Sequence, residues 1–356
     1  MNSGSSEERR VSWLALARAP QVGPVTFFQL LAKYGSPQDA VKRAGNRADL
    51  DAARREMDIA SNRGAKLIFS EDEEYPVALG ELSPPPPVLT VLGDTTLLQR
   101  PAIALVGARD ASAAGRKIAR ELAAALGKAG LVIASGLARG IDGEAHQAAL
   151  NTGTIAVLAG GVDQIYPPQH EALYHEIEQS GLVVSERAFG RRATAQDFPR
   201  RNRIITGLAV GTVVIEATER SGSLISARMA GEQGREVMAV PGSPLDRRAA
   251  GTNRLLREGA TLVRHAEDVL EAVASQIEDT TVHFHPTLPL DPPDTSQAED
   301  DGLTERIVEA LSPTPLPIAD IARASGCTAR QCAARLMELE LEGRALTHAG
   351  GLASKV

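Results

Sequence analysis

The chain has 356 residues, room for two or three domains, and carries 38 Lys+Arg against 45 Asp+Glu, a formal net charge of −7. Hydrophobic residues make up 43% and charged residues 23%, a globular profile; no stretch nears the roughly 20 apolar residues of a membrane helix, and two cysteines exclude a disulfide scaffold. The acidic average speaks against a nucleic-acid partner unless the charges are unevenly placed.

Residues 1–10 are rich in Ser, Glu and Arg and read as a disordered tail. They hold no apolar core of a secretory signal, and with two free thiols this points to a cytoplasmic location. From Val11 the apolar residues Trp13, Leu14, Leu16 and Ala17 recur at helical spacing, and a turn at Val22-Gly23-Pro24 leads to a second helix with Phe27, Phe28, Leu30 and Leu31. Residues 11–64 are therefore expected to form a small all-helical domain. The turn at Gly23 is similar to a hairpin that holds a DNA backbone, and helix packing explains it equally well.

Short strands are expected at 66–69 and 88–92, separated by the proline run 84–87. From Ala102 strands and helices alternate. The strands fall at 103–106, 131–134, 154–158, 182–185, 212–215, 236–240 and 261–263. The helices fall at 113–129, 143–151, 170–179, 203–208, 224–234 and 254–258. These strands are apolar throughout rather than alternating, as required when both faces are covered, so residues 65–275 predict an α/β domain with a doubly wound parallel sheet. Residues 276–302 carry seven acids, no Lys or Arg and four prolines, and read as a disordered linker. His283 and His285 within it lack a third ligand, and Cys327 and Cys332 lack zinc spacing, so no metal or cofactor is expected. Residues 303–356 read as three helices and a hairpin, the order of a winged helix. The last helix, 329–342, carries Arg330 and Arg335 but also Glu338, Glu340 and Glu342, so it suits a structural or partner-binding role better than a groove reader.

The candidate site residues sit just past strand carboxyl ends, where open α/β sheets bind ligands. Gly107 and Arg109 follow the first of these strands, and Ser112 opens the next helix, as an N-cap or as part of an anion cradle. Gly136 and Arg139 occupy the following loop. Asp142 and His146 lie four apart on one helical face, either a catalytic pair or a helix cap with a surface histidine. Residues 187–203 hold six arginines against Asp197, a local balance of +5, with Phe198 among them. Phe198, Arg200, Arg201, Asn202 and Arg203 thus offer phosphate donors beside a base-stacking ring. Ser221, Gly222 and Ser223 form a further amide and hydroxyl cradle. The rim is rich in anion donors and poor in nucleophile–base pairs, which suits binding of several phosphates better than catalysis at one.

Taken in order, Val106-Gly-Ala-Arg109, Ser135-Gly-Leu-Ala-Arg-Gly-Ile-Asp142, Ala159-Gly-Gly-Val-Asp163 with Tyr166-Pro167, Phe198-Pro-Arg-Arg-Asn-Arg203, Ser221-Gly-Ser223 and Val240-Pro-Gly242 resemble the DNA-processing protein A (Smf) family. The resemblance implies an extended Rossmann domain that binds single-stranded DNA, flanked by a sterile-alpha-motif-like helical domain and a winged helix. It implies a cytoplasmic, non-enzymatic homodimer that protects incoming DNA in natural transformation and assists loading of the RecA recombinase. Leu256 and Leu262 would lie at the dimer face. The competing expectation is a nucleotide-processing Rossmann enzyme of the phosphoribohydrolase type. There Ser226 stands roughly where the catalytic Glu belongs, and Glu216 or Glu232 would have to substitute.

Overall fold

The structure is a computed structural model and describes residues 3–44, 48–277, 301–341, 344–348 and 352–355. It divides into two compact units, Met1–His285 and Pro286–Val356. Most of the expected acidic linker, with its two histidines, lies outside the described residues.

The first unit opens with four helices, α1 (Ser3–Arg18), α2 (Pro24–Tyr34), α3 (Pro37–Ala44) and α4 (Leu50–Asn62). The expected disordered tail is overturned, because α1 begins at Ser3 rather than Val11. Its extra turns are fastened: Arg9 pairs with Glu71 and Arg10 with Asp72, and the Arg10 guanidinium lies 4.1 Å from the Phe69 ring. A charged sequence without apolar spacing gives no sign of partners 62 residues away. Trp13, Leu14, Leu16 and Phe27 form the core of this helical bundle together with Phe69 and Val88.

Phe69 and Val88 belong to β1 (Lys66–Phe69) and β2 (Val88–Gly93), an antiparallel pair that adds β2 to a larger sheet. The remaining strands are β3 (Ala102–Val106), β4 (Val132–Ser135), β5 (Thr154–Val157), β6 (Leu182–Ser185), β7 (Gly211–Val214), β8 (Glu236–Ala239) and β9 (Thr261–Leu262). The sheet order is β1-β2-β6-β5-β4-β3-β7-β8-β9. Strands β3 to β9 are parallel, as their unbroken apolar character predicts, and β1 and β2 make the sheet mixed. Every residue of β3 is buried.

Helices α6 (Ala113–Lys128), α7 (Ile141–Ala149), α8 (Glu171–Ser180) and α12 (Ala266–Ala272) cover one face. The short α5 (Val77–Gly80) with α9 (Asp197–Leu208), α10 (Gly222–Glu232) and α11 (Ala250–Arg257) covers the other. The chain runs outward from β3 through β4, β5 and β6, then returns to β7 on the other side of β3. The switch point of the fold therefore lies between β3 and β7, and all the parallel strands present their carboxyl ends on one rim.

The second unit contains α13 (Asp301–Ala310), β10 (Leu316–Pro317), α14 (Ile318–Ser325), α15 (Ala329–Leu341), β11 (Ala345–His348) and β12 (Leu352–Lys355). It has the expected three helices and hairpin strands, and β10 adds a third strand in the order β10-β12-β11. Leu303, Ile307, Ile321, Leu336 and Leu339 build its core.

Candidate nucleic-acid interface

The loop after β3 carries Gly107 and Arg109, and the loop after β4 carries Gly136 and Arg139. They are locked together by close approaches. A Cβ on Gly107 would fall 2.5 Å from Ile141, and one on Gly140 would fall 2.3 Å from the Ala108 carbonyl. Gly140 also adopts φ 78°, a left-handed value that only glycine takes up cheaply. The stacked loops hold Arg109 and Arg139 exposed, without a hydrogen bond or ion pair among the described residues.

Asp142 and His146 organise the second loop from beneath. The Asp142 carboxylate accepts from the Gly136 N–H at 3.1 Å and from the Ala138 N–H at 3.3 Å. The Leu137 N–H donates to His146 Nε2 at 3.2 Å. That bond leaves the ring proton on Nδ1, 2.7 Å from Thr154 Oγ1, whose hydroxyl donates to the Ile133 carbonyl. His146 is fully buried, so the surface-histidine expectation is overturned. Burial, with the nearby His170 and Arg201 charges, pushes its pKa down to about 3 and keeps it neutral. Burial pushes the Asp142 carboxyl up, opposed by Arg201 and by the two loop amides. Neither group faces the other as a catalytic pair; both are occupied in holding loop amides.

The segment expected as a basic loop is half helix: α9 begins at Asp197 and contains Phe198 through Arg203. Asp197 fixes its start, with the Thr194 N–H and hydroxyl at 2.9 and 2.7 Å and Arg187 at 2.5 Å. Burial of Asp197 works against its charge, but Thr194 and the arginines hold its pKa below the usual carboxylate value.

The six arginines of 187–203 divide by environment. Arg201 is 7% exposed and donates through Nη1 to the Gly136 carbonyl at 2.6 Å and to the Val157 carbonyl. A Cβ on Gly136 would collide with this guanidinium. Burial pulls the Arg201 pKa down to about 10, Asp142 opposing. Arg203 pairs with Glu186 and Arg187 with Asp197. Asn202 accepts from Arg201 Nε at 3.3 Å. Arg192 and Arg200 are exposed, with no hydrogen bond or ion pair among the described residues, and Arg191 lies 3.9 Å from Asp197.

Phe198 points toward the exposed arginines. The Arg109 guanidinium carbon stands 5.4 Å from the Phe198 ring centre, a cation–π distance, and the Tyr166 ring lies 5.5 Å from it, tilted by 58°. Arg109, Arg139, Gly136, Phe198 and Arg201 line one pocket of about 240 Å³, closed by Tyr166 and the prolines after it. Tyr166, 53% exposed, is the aromatic partner that sequence reasoning noticed only as a motif residue. A Tyr-Pro pair past β5 and a Phe past β6 have no spacing signal in common; only the strand order brings them together.

Two expected anion cradles are filled from within. Ser112 caps α6 by accepting from the Gly115 N–H at 2.9 Å, and its own N–H and hydroxyl donate to Glu216. Glu216 thus sits at the switch point, over the α6 N-terminus, where a nucleotide phosphate would otherwise lie. Ser221 caps α10, with its Oγ 2.7 Å from Ser223 Oγ and 3.3 Å from the Ser223 N–H. With Leu224 and Arg220 it borders a separate groove of about 670 Å³ rather than the Phe198 pocket; Gly222, between the two serines, has an open surrounding. Leu256 packs half-buried against the core, and Leu262 is 46% exposed on β9, the sheet edge. Among the described residues no three His, Cys, Asp or Glu gather as a metal site, and no helix is long and apolar enough to cross a membrane.

The rim of this Rossmann-like sheet thus gathers arginines without ion-pair partners among the described residues beside two aromatic rings in contact. The chain belongs to the DNA recombination-mediator protein A family, whose model matches residues 66–274. A DprA-like N-terminal HHH domain matches residues 7–65, which supports the helical domain under a different description from the sterile-alpha-motif likeness expected, and the DprA winged helix domain matches 291–351. The chain is 41% identical over 225 residues to the DNA processing protein DprA of Bacillus subtilis, covering 62% of this chain and 76% of that one. It is similar to the crystal structure of DNA processing protein A from Streptococcus pneumoniae, with TM-score 0.64, 36% identity and coverage of 75% and 98%. The Helicobacter pylori DNA processing protein A, solved for its single-stranded DNA binding mode, matches with TM-score 0.55, 30% identity and coverage of 60% and 96%.

Proposed function

We infer that this protein binds single-stranded DNA through the Phe198 pocket and the adjoining rim. The observation that carries the reading is one pocket that holds exposed Arg109 and Arg139, neither with an acidic partner among the described residues, beside the Phe198 and Tyr166 rings. Guanidinium groups without acidic partners attract phosphate, and aromatic rings accept a base whatever its identity, so binding is sequence-tolerant and salt-dependent. Beyond the pocket, Arg200 offers a further phosphate contact from the opposite face of α9 and the Ser221–Ser223 turn offers one at its separate groove; Arg201, Arg203 and Ser112 support the rim by positioning backbone. The single-stranded DNA binding of the Helicobacter pylori relative favours the same ligand.

In this reading the protein protects incoming DNA in natural transformation and helps load the RecA recombinase. It acts in the cytoplasm as a homodimer joined near Leu256 and Leu262, without catalysis. The enzyme alternative loses support at Glu216, which Ser112 ties down, and at Glu232, which pairs with Arg228 on its own helix. Ser226 is buried and carries no carboxylate.

Fluorescence anisotropy with labelled oligonucleotides tests the reading. Phe198→Ala removes about 1–3 kcal/mol of stacking, roughly a 5- to 150-fold loss of affinity. Arg109→Ala lowers the slope of log affinity against log salt by about 0.7. If both variants keep the parent affinity and slope, the pocket is not the DNA site.

A further inference from the structure

Helix α9 has two working faces. Phe198 and Arg201, three apart, look into the pocket described above. Arg200 and Arg203, also three apart, look the other way into a groove of about 570 Å³. The far wall of that groove is the turn between α1 and α2, including Gln21, Gly23 and Pro24. The two cavities therefore share α9 as a partition, and the second one joins the helical domain to the sheet.

Five arginines line the groove, Arg18, Arg187, Arg191, Arg200 and Arg203, against one acid, Glu186. Counting Glu56 behind Arg18 and Asp197 behind Arg187 still leaves a surplus of two positive charges. The arginines are not equivalent. Arg18 is held by Glu56 and the Glu186 carbonyl, Arg203 by Glu186, and Arg187 by Asp197. Arg200 has no such partner among the described residues, and the Arg191 side chain is 51% exposed and only loosely related to Asp197 at 3.9 Å. A concave wall with unneutralised guanidinium groups focuses positive potential. Phe27, the aromatic ring that borders the groove, is fully buried, so the groove offers no stacking platform. Its chemistry fits a phosphate backbone, not bases.

We propose that this groove is a second subsite for the strand, in which backbone phosphates lie against Arg191 and Arg200 after the bases are held at Phe198. The inference rests on the Phe198 reading and deepens it. The helical domain then acts as the outer jaw of a clamp. Short strands fill only the aromatic pocket, and longer ones cross the start of α9 into the groove.

Gly23 gives a clean probe. Its φ of −91° suits any residue, a Cβ there meets nothing within 4 Å, and it is the N-cap of α2 without a side-chain cap bond. Gly23→Asp therefore adds a favoured cap while placing a carboxylate on the groove wall. Anisotropy is measured on the full chain with oligonucleotides of about 6 and about 20 nucleotides, lengths that bracket typical single-strand sites. For Gly23→Asp and Arg191→Glu, the expected result is roughly tenfold weaker binding of the longer strand at low salt. The short strand binds as in the parent, and the thermal midpoint of Gly23→Asp stays at or above the parent's. Unchanged binding of the long strand in both variants overturns the groove, and so does equal weakening of both strands. A parent protein that binds the long strand but not the short one, with Phe198→Ala silent, instead overturns the Phe198 pocket.

Discussion

The role assigned to Arg201 is open to a sharp test, because a buried positioning arginine and a phosphate-binding arginine fail differently. Arg201→Met keeps most of the side-chain volume and removes the charge. The Gly136 and Val157 carbonyls lose a charged donor, worth about 1.5–3 kcal/mol for such bonds, and the buried Asp142 loses its main favourable charge. Removing one member of a buried charge set costs about 3–5 kcal/mol, while the arginine's own desolvation cost is recovered, so a net loss of about 3 kcal/mol is expected. At roughly 2–4 °C per kcal/mol for a domain of this size, the thermal midpoint falls by about 6–12 °C. The loss depends on pH. Burial raises the Asp142 pKa, and removing Arg201 raises it further. A group with a raised folded-state pKa favours the folded chain when protonated, so the deficit of Arg201→Met grows as pH rises and shrinks as pH falls. Adding Asp142→Asn to that variant returns part of the stability at neutral pH. Urea unfolding followed by circular dichroism at several pH values reads all of this. A variant with parent stability and a selective loss of oligonucleotide binding would refute the positioning role and make Arg201 a ligand contact.

His146 supplies an acid-side prediction. Its folded pKa of about 3 lies below the ordinary 6.5, so the unfolded chain takes up a proton first, and stability drains as pH falls from about 6.5 toward 3. The contribution is about 1.4 kcal/mol per pH unit in that window, and His146→Gln should lack it, visible as a shallower fall of urea midpoints between pH 7 and 5. Parallel curves for the two proteins would contradict a buried neutral imidazole. Leu262 bears on assembly: it stands half-exposed on the two-residue edge strand β9, an edge open to pairing. Leu262→Arg should shift the proposed dimer to monomer by light scattering while leaving the monomer folded; an unchanged mass would move the interface elsewhere.

The parallel strands were legible because burial on both faces leaves a continuous apolar run, as in 102–106 and 182–185. The start of α9 was not, because Asp197, Pro199 and three arginines have no apolar period; tertiary bonds from Thr194 and Arg187 fix it instead. The missed α12 is seven residues long, too short for periodicity to register. In the candidate site, Arg109 and Arg139 are legible from their place past strand ends, and Phe198 from the arginines around it. Tyr166 was not recognised as Phe198's partner, and Glu216 was weighed only as a catalytic acid. Their roles depend on which strands are neighbours: β5 lies beside β6, and β7 lies beside β3, in an order the sequence does not display.

That same dependence changes the meaning of the charge count. The seven acids between 276 and 302 equal the whole excess of acid over base, so the rest of the chain is formally neutral. Within it the segment 187–203 holds a surplus of five, yet Arg187, Arg201 and Arg203 spend their donors on Asp197, two carbonyls and Glu186. What remains for a polyanion is Arg192 and Arg200, the loosely held Arg191, and from neighbouring loops Arg109 and Arg139. Within this segment an arginine that fixes the rim and one that faces outward can be direct neighbours, as Arg201 and Arg200 are. A tally of basic residues therefore overstates the phosphate contacts. The salt slope of binding, which counts only counterions released by exposed charge, should report the smaller number.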